Sequence, residues 1–285
     1  MIRAAVLGSD VSKSRSPAIH NAAFRALGVE GTYVARSVDA AGFRPLVEQL
    51  RAEGYRYLNV TIPHKDAAAA LADQRGPEVR ASGAANTLLF EAGGIRAENT
   101  DGAGLIAALG DLGVAVAGKT IVMVGAGGAA AGAAEALTRA GAMVRLVARR
   151  AESAAALRAR LPAARASATA WGPGDLERAL AGADALVSAV PAAAWAEAEA
   201  RGGLERIGPT TAVLEMAYGG TTPLATAVAG RTPLYADGLG MLVHQAAHAI
   251  RLAVGKEPPL AALFQAVGRS APLPSPLPAP RGEGT

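Results

Sequence analysis

The chain of 285 residues contains no cysteine. That absence removes disulfides, thiolate zinc sites, thiol nucleophiles and iron–sulfur clusters together. Aromatic residues are scarce as well, 4% against 51% hydrophobic residues overall. The interior must therefore be built from Ala, Val and Leu, and few rings are on hand to stack nucleic-acid bases. No apolar run approaches the ~18 uncharged residues of a membrane helix, because the richest stretch, Ile121 to Ala134, is interrupted by glycines. The net charge of +4 comes from scattered arginines without a Lys/Arg-rich run, which is a poor surface for nucleic acid. Nor is there a signal-peptide layout, since Met1-Ile2-Arg3 runs straight into a strand-like Ala4-Ala5-Val6-Leu7. The expectation is a cytoplasmic globular protein, monomer or homodimer, with a small-molecule partner and no membrane or nucleic acid.

What the chain does have is alternation. Arg3 to Gly8, Thr32 to Val38 and Tyr55 to Val60 read as strands, with helices Pro17 to Leu27 and Gly42 to Glu53 between them. A βαβαβ start implies a parallel sheet. Ala85 to Glu91 and Ile95 to Glu98 read as a hairpin across Ala92-Gly93-Gly94, after which Thr100-Asp101 should cap a helix running to Leu112. A second alternation begins at Lys119, with strand Thr120 to Val124, helix Ala129 to Ala140 and strand Met143 to Ala148. Further strands are expected around Ala185 to Ala189, Ala212 to Met216 and Pro233 to Tyr235. Apolar residues at helical spacing from Gly238 to Val254 predict a helix that returns to the first domain. The expected division is therefore α/β with two domains, 1–102 completed by 238–270 and a Rossmann-type 103–237. Prolines alternate from Pro272 to Pro280, so 271–285 reads as an extended or disordered tail.

Two nucleotide motifs lie side by side. Gly113 to Thr120 matches GxxxxGK[ST], but it follows a helix and leads into a strand, the reverse of a phosphate-binding loop. A turn into the strand is the better reading. Gly125-Ala126-Gly127-Gly128-Ala129-Ala130 fits G-x-G-x-x-[GA] with a strand before it and a helix after it, the context a dinucleotide pyrophosphate requires. An acidic residue about 20 positions on would accept from the ribose hydroxyls of NAD. Arg149-Arg150 stands there instead, and two guanidiniums suit the 2′-phosphate of NADP.

Polar clusters mark the first domain. Ser14-Arg15-Ser16-Pro17 leads into a helix and offers hydroxyls and free N–H groups to a carboxylate, although Ser16 could simply be an N-cap. Lys65 follows the third strand, at the carboxyl end where open α/β sheets place ligands. The Asn86 and Asp101 segments add amide and carboxylate groups, of which Asp101 could equally be a cap. His244 and His248 stand at i, i+4, but Gln245 occupies the place of the Glu in HExxH, and no metal is expected.

Ser14-x-Ser16-Pro17-x-x-His20-Asn21, Asn59-Val60-Thr61-x-Pro63-x-Lys65, Gly83-Ala84-x-Asn86-Thr87, Asn99-Thr100-Asp101-Gly102, Gly125-Ala126-Gly127-Gly128-Ala129 and Gly238-x-Gly240-Met241-Leu242-Val243-x-Gln245-Ala246 together resemble the shikimate dehydrogenase family, in that family's order. The resemblance runs from about residue 6 to residue 254. It implies NADP-linked reduction of 3-dehydroshikimate to shikimate, in chorismate and aromatic amino-acid synthesis. Carried over by position, Ser14 and Ser16 would bind the carboxylate. Asn59, Thr61, Asn86, Asp101 and Gln245 would hold the ring hydroxyls, with Tyr218 a further candidate. Lys65 and Asp101 would be the catalytic pair, and Gly240 and Met241 would line the nicotinamide. The chain departs from the family where Asn-Arg-Thr is usual and Ala148-Arg149-Arg150 stands, and again at Glu215 and at Ser188-Ala189-Val190-Pro191. A broader quinate/shikimate enzyme, a non-catalytic NADP sensor and a nucleic-acid-binding protein are the alternatives. Arg149 speaks against the first, and the presence of both Lys65 and Asp101 against the second.

Overall fold

The structure, a computed structural model, describes residues 1–197 and 199–272; the proline-rich tail from residue 273 onward lies outside them. The chain opens with β1 (Ile2–Gly8), α1 (Ser16–Ala26), β2 (Gly31–Ser37), α2 (Ala40–Ala52) and β3 (Tyr57–Val60). It continues with α3 (Lys65–Ala70), β4 (Gln74–Arg75), α4 (Pro77–Ser82), β5 (Thr87–Glu91) and β6 (Gly94–Glu98). These strands form one sheet in the order β2-β1-β3-β5-β6-β4. β1 runs parallel to β2 and β3, and β5 antiparallel to both neighbours, so the sheet is mixed. Because β2 and β3 flank β1 on opposite sides, the chain reverses direction there, and the crevice beyond β1 and β3 is where such sheets place a ligand.

Helix α5 (Asp101–Asp111) leads to the second sheet. Its elements are β7 (Thr120–Val124), α6 (Gly128–Arg139), β8 (Met143–Ala148), α7 (Ala151–Ala159), β9 (Ala166–Ala170) and α8 (Asp175–Leu180). They are followed by β10 (Ala185–Ser188), β11 (Ala212–Glu215), α9 (Pro223–Val228) and β12 (Tyr235–Asp237). The order β12-β11-β10-β7-β8-β9, parallel at every pairing, is the doubly wound dinucleotide arrangement. Ile121, Val122, Met123 and Val124 of β7 are fully buried, as expected of a central strand covered on both faces. The last strand lies at 235–237 rather than 233–235, because Pro233 has no N–H to give a ladder.

Helix α10 (Leu239–Val254) then lays Val243, Ala246, Ala247 and Ile250 against Ile19 and Ala23 of α1 and against Leu263 and Phe264 of α11 (Leu260–Ala266). The chain thus returns to its first sheet. Its other side meets α5 so closely that a Cβ on Gly104 would sit 2.7 Å from Gln245 Cβ. Only glycine allows that approach, which brings Gln245 to the site below. In the segment matching GxxxxGK[ST], Gly118 turns at φ +74° into β7 and Lys119 Nζ donates to Asp184 Oδ1 at 2.9 Å. That lysine is paired at the amino ends of β7 and β10. Among the described residues no helix is long and apolar enough to cross a membrane.

Candidate active site

A cavity of about 430 Å³ opens beyond the carboxyl ends of β1 and β3, and residues 216, 218, 238 and 241 wall it from the side of the second sheet. Ser14, Ser16, Asn59, Thr61, Lys65, Asn86, Asp101, Tyr218 and Gln245 all line it. Segments far apart in sequence therefore converge on one polar crevice. Lys65 is delivered by the turn that ends β3: His64 N–H donates to Thr61 O at 3.0 Å, and the His64 ring, buried, stacks on Phe43 and hydrogen-bonds Val38 O at 2.8 Å. The pinned turn leaves Lys65 as the first residue of α3. Its Nζ donates to Asp101 Oδ2 at 2.5 Å, and the two side chains are 26% and 25% exposed, open enough to meet a ligand.

Behind this pair the polar groups interlock. Asn86 Nδ2 donates to Asp101 Oδ1 at 2.9 Å, to Thr100 Oγ1 at 3.0 Å and to Gln245 Oε1 at 3.1 Å, sharing its two protons. Thr100 N–H returns a bond to Asn86 Oδ1 at 2.9 Å, and Thr100 Oγ1 donates to Gln245 Oε1 at 3.0 Å. Tyr33 O–H donates to Asn59 Oδ1 at 2.7 Å, while Asn59 Nδ2 donates to Thr87 Oγ1 at 3.0 Å. Partners fixed in this way orient each amide before any ligand arrives.

The capping expected at two helix starts is not made. Thr100 and Asp101 provide no side-chain cap to α5, since their oxygens are turned toward Lys65, Asn86 and Gln245; Asn99 Oδ1 accepts the Asp101 N–H instead. At α1 the N-cap position is Arg15, again without a side-chain cap. The Ser16 hydroxyl is left for the cavity, and its N–H is held by Ser14 Oγ at 3.2 Å. Asp10, Lys13 and Met216 also line the cavity, although the sequence alone does not single them out. Lys13 carries a signal that could have found it: a cation directly before hydroxyls suited to a carboxylate.

A second cavity, about 590 Å³, sits where the second sheet reverses between β7 and β10. Gly125, Ala126 and Gly127 form one wall and Arg149 and Arg150 another. Gly125 takes φ +120°, and its Cβ would press within 3.2 Å of Ala189 O and Val190. A Cβ at Gly127 or Gly128 would meet nothing, so the backbone at the start of α6 stands open. No side chain caps α6, and its first N–H groups remain available to an anion. Gly128 and Ala129 form its first turn. Both arginines are exposed and, among the described residues, neither guanidinium has a hydrogen-bond or ion-pair partner. Open amides and two free cations match a phosphorylated dinucleotide. Met241 lines the first cavity, whereas a Cβ on Gly240 would face Ala108 and Asp111 of α5. His244 bonds Asp111 at 2.7 Å and His248 bonds Arg251 at 2.9 Å, so the two histidines serve different partners.

A doubly wound nucleotide domain set beside a lysine–carboxylate pocket defines a nicotinamide-dependent dehydrogenase. The defining pattern of the shikimate dehydrogenase substrate-binding domain matches residues 6–88, and an NAD(P)-binding pattern matches residues 112–204. The chain is 37% identical over 261 residues to the shikimate dehydrogenase (NADP(+)) of Geobacter sulfurreducens, covering 89% of this chain and 91% of the relative. It therefore belongs to the shikimate dehydrogenase family. The crystal structure of the Thermus thermophilus shikimate 5-dehydrogenase with NADP(H) and shikimate superimposes with a TM-score of 0.79 at 31% identity, over 94% of this chain and 99% of that one. The 5-ketofructose reductase of a Gluconobacter strain does so at 0.82 and 26% identity, over 94% and 98%.

Proposed function

We propose that the chain is an NADP-dependent oxidoreductase that reversibly reduces 3-dehydroshikimate to shikimate, in chorismate and aromatic amino-acid biosynthesis, and that Lys65 and Asp101 carry the proton chemistry. The observation that carries the reading is the Lys65–Asp101 pair at 2.5 Å, in a cavity that Ser14 and Ser16 also line. When bound, NADPH supplies the electron pair and one hydrogen to the ketone carbon. The second hydrogen must come from the protein as a proton. The Lys65 ammonium stabilises the developing alcohol oxygen and donates to it, and in oxidation neutral Lys65 takes the proton back. Asp101 fixes the direction of the Nζ and, with Asn86, Asn59, Thr61 and Gln245, receives the ring hydroxyls; Tyr218 is a further candidate for them. Ser14 and Ser16 take the carboxylate. Gly125 to Ala129 face the pyrophosphate, Arg149 and Arg150 the 2′-phosphate, and Gly240 and Met241 belong to the nicotinamide end.

In this reading residues 1–102 with 238–270 bind substrate and 103–237 bind cofactor. The protein works in the cytoplasm as a monomer or homodimer on a small molecule, without nucleic acid. The serine pair favours an anionic ring acid over a neutral keto sugar of the kind a ketofructose reductase reduces. The test is NADP⁺ reduction followed by nicotinamide absorbance with shikimate, repeated with quinate and with NAD⁺. Turnover confined to shikimate and NADP⁺ is expected. Preference for quinate with NAD⁺, or no turnover with any, would overturn it.

A further inference from the structure

Only two tryptophans occur in the chain, and their rings pack against each other. Trp171 follows β9, and its backbone N–H donates to Ala148 O at 2.9 Å, which sets it next to Arg149 at the end of β8. The side chain lines the 590 Å³ cavity and also an adjoining one of about 400 Å³. Arg149 lines the same two, so the two residues border both cavities together. Behind Trp171, Trp195 is fully buried, lies 4.8 Å away at 59° and donates through Nε1 to the buried Ser188 Oγ at 2.9 Å. The outer ring is therefore backed by an inner one that the core holds in place. Trp171 Nε1 itself is buried without a hydrogen-bond partner. Tryptophan is not needed here for its N–H. What the position uses is the flat apolar ring.

We propose that Trp171, together with Arg149, grips the adenine ring of the cofactor; the inference rests on the NADP reading above. A purine is a flat π system that stacks on an aromatic face or under a guanidinium, and a ring already held rigid loses little entropy on binding. This divides the work at the adenosine end. The arginine charges distinguish the 2′-phosphate, while the indole reads the base that NADP and NAD share.

The experiment compares wild type, Trp171→Ala and Trp171→Phe by calorimetric titration with adenosine 2′,5′-bisphosphate and with nicotinamide mononucleotide, and by kinetics with NADP⁺ and NAD⁺. Trp171→Ala should weaken the adenosine bisphosphate about tenfold and leave nicotinamide mononucleotide where it was. It should raise the Michaelis constants of both dinucleotides by one common factor rather than lower kcat. Trp171→Phe should keep most of the affinity, because the N–H is dispensable. Tryptophan emission should respond to adenosine bisphosphate in wild type and fall silent in Trp171→Phe, although Trp195 remains. Equal binding of the bisphosphate by wild type and Trp171→Ala, a loss confined to NADP⁺, or a full emission response in Trp171→Phe would overturn the proposal. Should Trp171→Ala not fold, the emission of Trp171→Phe decides. If wild type binds no adenosine bisphosphate at all, the cofactor reading itself has failed, which is a different outcome.

Discussion

The two cavities are built on opposite plans. In the first cavity the lysine, the carboxylate and the amides are already bonded to one another or to a neighbour: Lys65 to Asp101, Asp101 to Asn86, Asn86 to Thr100 and Gln245, and Asn59 to Tyr33. In the cofactor cavity the backbone at Gly127 and Gly128 is bare and the two arginines are unpaired among the described residues. The first plan fixes geometry before the ligand comes, as proton transfer requires, because a donor misplaced by an ångström loses much of its effect. The second offers charge and room. That suffices for a cofactor whose phosphates bring their own strong acceptors.

The sharpest way to break this comparison is to remove the interlocked lysine. Lys65→Ala should lower kcat by at least ~10²-fold, the ordinary worth of a positioned general acid, with a much smaller change in the shikimate Michaelis constant. Near-normal turnover in the folded variant would sink the catalytic assignment. On the open side, Arg149→Asp removes the cation that we propose reads the 2′-phosphate, and a charge-assisted contact of that kind is worth about 1.5–3 kcal/mol, or roughly 10- to 150-fold. It also adds repulsion to the 2′-phosphate and an acceptor for ribose hydroxyls. The ratio of kcat/KM for NADP⁺ over NAD⁺ should collapse accordingly while shikimate saturation barely moves. A ratio untouched by the substitution would show that this strand end does not read the 2′ position.

The same contrast governs what is legible in the sequence. Strands with a clear apolar run, such as Ile121-Val122-Met123-Val124, and the glycine turn after them stand out because composition changes sharply at their ends. Between residues 151 and 180 alanine is so frequent on every face that α7, β9 and α8 carry no hydrophobic contrast, and the sequence pattern does not announce them. Helix α11 escapes for another reason. It is seven residues long and stable only because Leu263 and Phe264 find α1 and α10. In the site, short motifs expose residue types but not bonds. Asp101 and Ser16 look as much like helix caps as ligands, and only the positions of Lys65, Asn86 and Gln245, with the last two 159 residues apart, decide where the Asp101 oxygens point.

At the two serines that line the first cavity a smaller effect is expected. Replacing both Ser14 and Ser16 by Ala should raise the shikimate Michaelis constant about tenfold or more, with less effect on kcat, because in the proposed reading the hydroxyls take the carboxylate rather than the reacting carbon. An unchanged Michaelis constant would place the carboxylate elsewhere.

The prebuilt plan also has a floor that acid can attack. Beneath Asn59, His20 is fully buried, stacked on Tyr33 at 3.9 Å and hydrogen-bonded through Nδ1 to Tyr57 OH at 2.6 Å. Its Nε2 has no partner. Burial lowers the imidazole to a pKa of about 3, against ~6.5 in an unfolded chain. Below pH ~6.5 the unfolded chain therefore binds a proton that the folded one refuses, so this group's stabilising contribution is full above that value. It falls as pH drops toward 3, at about 1.4 kcal/mol per unit. Between pH ~7.5 and ~5.5 the loss from His20 alone should be roughly 1 kcal/mol. Other ionisable groups add their own pH dependence to stability, which is why the measurement must be a difference. Urea unfolding at the two pH values in wild type and in His20→Gln isolates it, because any constant cost of the substitution cancels. Wild type should lose about 1 kcal/mol more than the variant on acidification. Equal losses would mean that the buried ring takes up its proton without unfolding, and that the layer under Asn59 is looser than its stacked, hydrogen-bonded geometry implies.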